Sequence, residues 1–254
     1  MQPTTAALSL RGLHKAFGAK VSVDRVSLDV PAGAFYGIVG PNGAGKTTLL
    51  SMAVGLLRPD AGTSAVLGTD VWSDSVQAKR DLGVLPDSLA MPEFLTGREV
   101  LTFMGRLRGL APDTVDARTQ ELLAVMDLLG EERTLVVDYS TGMRKKIGLA
   151  TALLHNPRVL VLDEPFEAVD PVSSLVLRRI LTRYVARGGA VVLSSHVMPL
   201  VEQLCDSVAV MSQGTIVASG PLDLVRGNGT LEEAFTGLVE SGAGSSEGLP
   251  WLGN

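Results

Sequence analysis

The chain has 254 residues, 46% hydrophobic and 19% charged, with a formal net charge of −5. That length suits one large domain or two small ones around a substantial core, and the acidic balance argues against nucleic acid as the principal partner. No apolar run approaches the roughly 20 residues that cross a bilayer, Met1-Gln2-Pro3-Thr4-Thr5 lacks the features of a secretory leader, and the single Cys205 permits no internal disulfide; a cytoplasmic protein is expected.

In chain order, residues 8–39 alternate apolar and polar positions (Leu8-Ser9-Leu10, Val26-Ser27-Leu28-Asp29-Val30) around turns at Gly18 and Pro31-Ala32-Gly33. The pattern predicts antiparallel strands ending in the strand Phe35-Tyr36-Gly37-Ile38-Val39. Directly after it stands Gly40-Pro41-Asn42-Gly43-Ala44-Gly45-Lys46-Thr47, which fits G-x-x-x-x-G-K-[ST] at every fixed position. The run from Thr48 to Val54 predicts the helix that follows. Strand, glycine loop and helix together are the setting in which backbone N–H groups wrap a phosphate at a helix N-terminus. Lys46 would then reach the β- and γ-phosphates, and the Thr47 hydroxyl would ligate Mg²⁺.

Strands are expected from Gly62 to Asp70 and from Leu82 to Leu85. From about Ser88 to His155 the pattern turns helical, with Val100, Leu101, Phe103, Met104 and Leu107 in one segment and Leu122, Leu123, Val125, Met126 and Leu129 in another. A strand at Val159–Leu162, a helix over 171–187, a strand at Ala190–Leu193 and a helix over 198–205 come next. Val208 to Val217 reads as a hairpin. Apolar strands alternating with helices predict an α/β fold with a mostly parallel sheet covered on both faces. The helical middle, about 88–155, reads as an insertion between two halves of that sheet. One domain is expected over 1–240, with a disordered Gly- and Ser-rich tail at 241–254. Cys205, within an apolar-periodic segment, is expected to be a buried structural thiol.

A second constellation is Val159-Leu160-Val161-Leu162-Asp163-Glu164-Pro165. Four apolar residues followed by an acid describe a central strand whose C-terminal end delivers a carboxylate to the ligand crevice. Asp163 would hold Mg²⁺, and Glu164 would polarise a water in line with the γ-phosphate. Taken alone, two acids before a proline also suit a solvated turn.

With three further segments, the chain resembles the nucleotide-binding subunit of an ATP-binding cassette (ABC) transporter over roughly Leu8 to Phe235. Tyr139-Ser140-Thr141-Gly142-Met143 looks like a variant of the family signature L-S-G-G-Q, keeping Ser140 and Gly142. Read alone, Ser140 is an N-cap. Val192-Leu193-Ser194-Ser195-His196 matches the strand before the family's switch histidine, so His196 would orient Glu164 and the attacking water. Phe17 matches the ring stacked on adenine, although it could instead pack in the sheet. The resemblance implies the fold of a P-loop NTPase core with an N-terminal antiparallel β-subdomain and an inserted helical subdomain. It also implies that Gly40, Pro41, Asn42, Gly43, Ala44, Gly45, Lys46, Thr47 and Thr48 hold ATP. Ser140, Thr141, Gly142 and Asp170 would act across an interface with a second ATP-binding subunit, identical or a close paralogue.

Departures accompany the matches. Asp87, in Leu85-Pro86-Asp87, stands where the family usually carries glutamine; it could ligate Mg²⁺ or a water. Phe166 replaces a small polar residue, and Glu167 has no counterpart role. Leu231-Glu232-Glu233-Ala234-Phe235 resembles a segment of subunits paired with ABC-2-type export permeases. The implied function is ATP hydrolysis powering export through a separate transmembrane permease, with the chain peripheral on the cytoplasmic face. Two alternatives are a non-transport ABC ATPase acting on nucleic acid or the ribosome, and an ATP-binding regulatory module with little turnover. The first would call for coiled-coil or zinc insertions or a second cassette, and the chain offers none.

Overall fold

Unbroken apolar runs make the central sheet of this computed structural model, which describes residues 6–88 and 90–240. Strands β3 (Phe35–Val39), β7 (Val159–Leu162) and β8 (Ala190–Ser195) are buried at every position, and β9 (Ser207–Ser212) at all but its two ends. Successive side chains leave a strand on opposite faces, so each run feeds two cores. Phe35, Val39, Leu160, Leu162, Val191 and Leu193 join the helical core, while Tyr36, Ile38, Val159, Val161, Ala190 and Val192 join the other. With β6 (Leu82–Leu85) and β10 (Thr215–Pro221), the sheet runs in the order β10-β9-β3-β8-β7-β6. Its pairings are parallel except for the antiparallel edge between β10 and β9.

The alternating N-terminal strands form a separate antiparallel sheet. β1 (Leu8–Phe17) pairs with β2 (Lys20–Val30) and β4 (Ala61–Val66), and β4 with β5 (Thr69–Asp70). The expected continuity from these strands into the glycine loop therefore breaks at Pro31–Ala34. β3 is apolar on both faces and lies parallel between β8 and β9, where both faces are covered. Helix α1 (Lys46–Ala53) buries Leu49, Leu50, Met52 and Ala53 in the core beside the N-terminal sheet. A short helix α2 (Ser75–Arg80) precedes β6.

The helical middle contains α3 (Gly97–Leu107), α4 (Pro112–Val125) and α5 (Thr141–Leu153). A capping box starts α3: Thr96 Oγ1 accepts from the Glu99 amide at 3.3 Å, and the Glu99 carboxylate accepts from the Thr96 amide at 2.8 Å. The strands flanking this segment, β6 and β7, are direct parallel neighbours, with Leu85 opposite Leu162. The insertion is thus an enlarged crossover at one edge of the sheet, because a parallel pair needs a long return connection, and it does not divide the sheet into halves.

Helices α6 (Pro171–Ala186) and α7 (Met198–Leu204) cover the same face as α5. α8 (Leu222–Arg226) and α9 (Leu231–Glu240) close the described chain. The segment Leu231 to Phe235 opens α9, where the Leu231 amide donates to Glu202 of α7 at 2.5 Å. Cys205 is buried, and that burial raises its thiol well above the ordinary range, which makes it a structural residue. The expectations for the tail at 241–254 fall outside the described residues.

Close approach between α5 and β6 depends on Gly83. A Cβ there would lie 2.3 Å from the Ala152 carbonyl oxygen and 2.6 Å from Leu160 Cδ2. Backbone cannot yield as a side chain does, so Gly83→Ala is expected to destabilise the fold by about 2 kcal/mol. Chemical denaturation measures this; an unchanged midpoint would mean that α5 does not need the contact.

Candidate functional site

The glycine loop leaves the C-terminal end of β3 and enters α1 with Gly43 at φ +82° and Gly45 at φ +103°. Gly45 also has no room for a side chain, since a Cβ would lie 2.3 Å from the Ser22 carbonyl oxygen. No side chain caps α1, so its first amides are free of the usual side-chain acceptor. Ala44 packs into the core, and Thr48 accepts a hydrogen bond from the Ser22 hydroxyl at 2.9 Å. Lys46, only 6% exposed, donates to the Gly40 and Pro41 carbonyls at 2.8 and 3.3 Å. Its Nζ stands 3.4 Å from Glu164 Oε1.

Glu164 and Asp163 lie past the C-terminal end of β7, two places across the sheet from β3. Both are buried, and Ser194 of β8 serves both. Its hydroxyl donates to Asp163 Oδ1 at 2.5 Å and accepts from the Glu164 amide at 2.8 Å. Burial raises the Asp163 carboxyl above the usual range, opposed by the hydroxyls of Ser194 and Thr47; the nearby Asp87 and Glu164 charges raise it further. Glu164 is in the left-handed region at φ +44°, a costly conformation for a non-glycine residue. His196 Nδ1 is 3.1 Å from Glu164 Oε2.

One cleft of about 380 Å³ is lined by Asn42, Gly43, Gly45, Lys46, Thr47, Thr48, Asp87 and Glu164, all expected from the sequence, together with Lys20, Ser22 and Glu167. A larger groove of about 790 Å³ between α4, α5 and α6 holds none of the expected site residues. It lies near Arg158 and Gly189, at the N-terminal ends of β7 and β8, whereas ligands of open α/β sheets bind beyond the C-terminal strand ends. Position makes the smaller cleft the candidate site.

Other expected residues stand apart from that cleft. Phe17 ends β1 at 52% exposure, so it is not packed in the sheet, and the Lys15 ammonium lies 5.7 Å from its ring centre. Ser140 caps α5, its hydroxyl accepting from the Met143 amide at 3.2 Å. Gly142 sits so close to Asp170 that a Cβ would be 2.8 Å from Oδ2. Asp170 caps α6 through the Val172 and Ser173 amides, at 3.0 and 2.9 Å. Phe166 packs against the helical core, with the Arg178 guanidinium 6.0 Å from its ring centre.

Sequence reasoning did not assign Ser194, although a hydroxyl at the end of an apolar strand beside Asp163 was the available signal. The three consecutive basic residues Arg144-Lys145-Lys146 do not form an exposed patch either. Lys145 and Lys146 are 8% and 5% exposed, and Arg144 donates to the Val137 and Tyr139 carbonyls.

A glycine loop between a parallel strand and a helix, with a buried acid pair at the end of a second strand, defines a P-loop nucleotide hydrolase. A family model described as "ABC transporter" matches residues 23–167. The chain is 38% identical over 215 residues to a Nod factor export ATP-binding protein I of Burkholderia lata, covering 85% of this chain and 71% of that protein. It is 38% identical to the daunorubicin/doxorubicin resistance ATP-binding protein DrrA of Streptomyces peucetius, covering 86% of this chain and 66% of that one. It also resembles the linearmycin resistance ATP-binding protein LnrL of Bacillus subtilis, at 33% identity over 84% of this chain and 68% of the other. A solved structure described as the ATP-binding subunit of an ABC transporter superposes with a TM-score of 0.85 at 26% identity, covering 92% of this chain and 99% of that one. The chain belongs to the ABC transporter family and is an ATP-binding ATPase of that family.

The raised Asp163 carboxyl has a thermodynamic consequence. Its cost to folding is absent below the unfolded value of about 3.8 and fully present above the raised folded value. At neutral pH in EDTA, Asp163→Asn should therefore raise the melting temperature, and the gain should vanish as pH falls toward about 4. A lower melting temperature across that range would refute the assignment of a burial cost to this acid.

Proposed function

We propose that this chain hydrolyses ATP to drive export through a separate membrane permease, working as one of two ATP-binding subunits. The observation that carries the reading is the meeting of Lys46 and Glu164, 3.4 Å apart, above the glycine loop. Phosphoryl transfer requires positioning and charge stabilisation more than covalent chemistry from the protein. Lys46 and the loop amides, from Gly40 to Thr48, would hold the β- and γ-phosphates. Glu164 would take the proton of the attacking water, and His196, bonded to its other oxygen, would keep that carboxylate aimed. Phe17, exposed on the rim of the N-terminal sheet, would stack on adenine, and that contact discriminates weakly among bases.

The donors suit Mg²⁺. Among the described residues no three His, Cys, Asp or Glu side chains converge as a metal cage. Mg²⁺ does not need one, since it is commonly held by one or two protein oxygens with phosphates and waters completing the shell. Thr47 and Asp163, whose side chains are near enough for the hydroxyl to act on the carboxylate, would hold it. The ion would neutralise charge on the phosphates.

Ser140, Thr141, Gly142 and Asp170 lie outside the chain's own cleft. We assign them to the nucleotide of a second ATP-binding subunit, where the start of α5 would meet the γ-phosphate. Export is favoured by the relatives, whose names refer to Nod factor export and to drug resistance. Among the described residues no helix is long and apolar enough to cross a membrane, so the membrane path would belong to the permease, and this chain would work from the cytoplasmic face.

Glu164→Gln is expected to cut ATP hydrolysis by about 100-fold or more while retaining ATP binding and trapping a dimer by size-exclusion chromatography. Hydrolysis at the wild-type rate would remove Glu164 from the mechanism. Lys46→Ala should weaken ATP binding by at least about tenfold; an isothermal titration with the wild-type Kd would contradict its role. Isolated membranes should hold the tagged chain together with a polytopic partner, whereas recovery solely with ribosomes would overturn the transport reading.

A further inference from the structure

Lys145 is charged, buried and absent from the chemistry above. It lies on α5, and its ammonium has two partners: the Glu164 carbonyl oxygen at 2.9 Å and Asp87 Oδ1 at 3.7 Å. An ammonium that is 8% exposed requires acceptors and a countercharge to offset its lost hydration. Here those come from the residue carrying the acid and from the carboxylate standing where a glutamine was expected. The same carbonyl accepts from the Glu167 amide at 3.2 Å. Glu164 is consequently held at its amide by Ser194, at its carbonyl by Lys145 and at its carboxylate by Lys46 and His196. These contacts keep it at its left-handed φ of +44°.

We infer that Lys145 is a positioning residue for ATP hydrolysis: its ammonium sets the backbone at Glu164, and Asp87 influences the reaction through that ammonium. The inference rests on Glu164 being the carboxylate that takes the water's proton. Lys145 lies on the helix that Ser140 caps, and Asp87 on the segment leaving β6 toward α3. One side chain thus ties both boundaries of the helical insertion to the end of β7, so a displacement of α5 relative to the sheet alters the aim of Glu164.

Steady-state ATPase assays on the full chain at saturating Mg²⁺ test this. Lys145→Met should lower kcat about tenfold, as expected for a misplaced reacting group, with KM for ATP within about twofold. Lys145→Arg, which keeps a donor and a charge, should recover kcat to within about threefold of wild type. Asp87→Asn should lower kcat by about threefold alone and have no further effect in the Lys145→Met background. Wild-type kcat in Lys145→Met, an Arg variant as slow as the Met variant, or losses that multiply in the double variant would each overturn the proposal; the last would mean that Asp87 acts on the metal instead. Glu164→Gln separates the two levels. If it hydrolyses at the wild-type rate, the assignment of Glu164 falls and this inference with it. If it is inactive while Lys145→Met keeps its kcat, the role of Lys145 alone falls. Should Lys145→Met fail to fold, Lys145→Gln and Asp87→Asn carry the test, and wild-type kcat in either overturns it.

Discussion

Burial of both faces of the parallel sheet is the constraint on which the rest of the molecule depends. β3, β7 and β8 have no exposed residue along their lengths, so polar chemistry gathers at their C-terminal ends. The registers bring those stops together: Val39 lies beside Ser195, Leu162 beside Leu193 and Leu85 beside Leu162. The glycine loop, the acid pair, His196 and Asp87 each follow one of these strand ends. A single crevice therefore receives side chains from residues far apart in the chain, as is usual at the C-terminal edge of open α/β sheets.

Charge is unusually concentrated at that edge. Lys46, Lys145, Asp163 and Glu164 are all less than 9% exposed, and isolated charges so placed would be strongly unfavourable. They tolerate burial because each has a partner. Lys46 faces Glu164 and two loop carbonyls, Lys145 faces a carbonyl and Asp87, and Asp163 receives the Ser194 hydroxyl. Ser194 is the neutral hinge of this arrangement, fixing two consecutive acids with one hydroxyl. Such a set is stiff, and it is also sensitive, since removing one member leaves a buried group unpaired.

Local patterns made much of this legible from the residues. Continuous apolar runs marked the central strands, alternation marked the N-terminal sheet, and helical periodicity marked α3 and α4. The eight-residue loop was readable because glycines at defined spacing have a local backbone reason. Less legible was the adjacency of β6 and β7, which are separated by the whole helical insertion: strand order depends on long-range pairing that periodicity does not encode. Ser194 and Lys145 escaped for a related reason. Each looks ordinary in its own segment, and each acquires its role from residues well separated from it in the chain, such as Glu164 and Asp87 for Lys145.

By itself the sequence determined the fold class, the glycine loop, the Asp163-Glu164 pair and the resemblance to ABC ATP-binding subunits, because these depend on residue type and short-range spacing. Tertiary structure alone decided that Asp87 faces an ammonium, that two of three consecutive basic residues point inward, and that Ser140, Gly142 and Asp170 lie outside the chain's own cleft. Those outcomes depend on how α5 packs against the end of β7. Packing of that kind is set by contacts between distant segments, and a pattern read along one segment does not contain them.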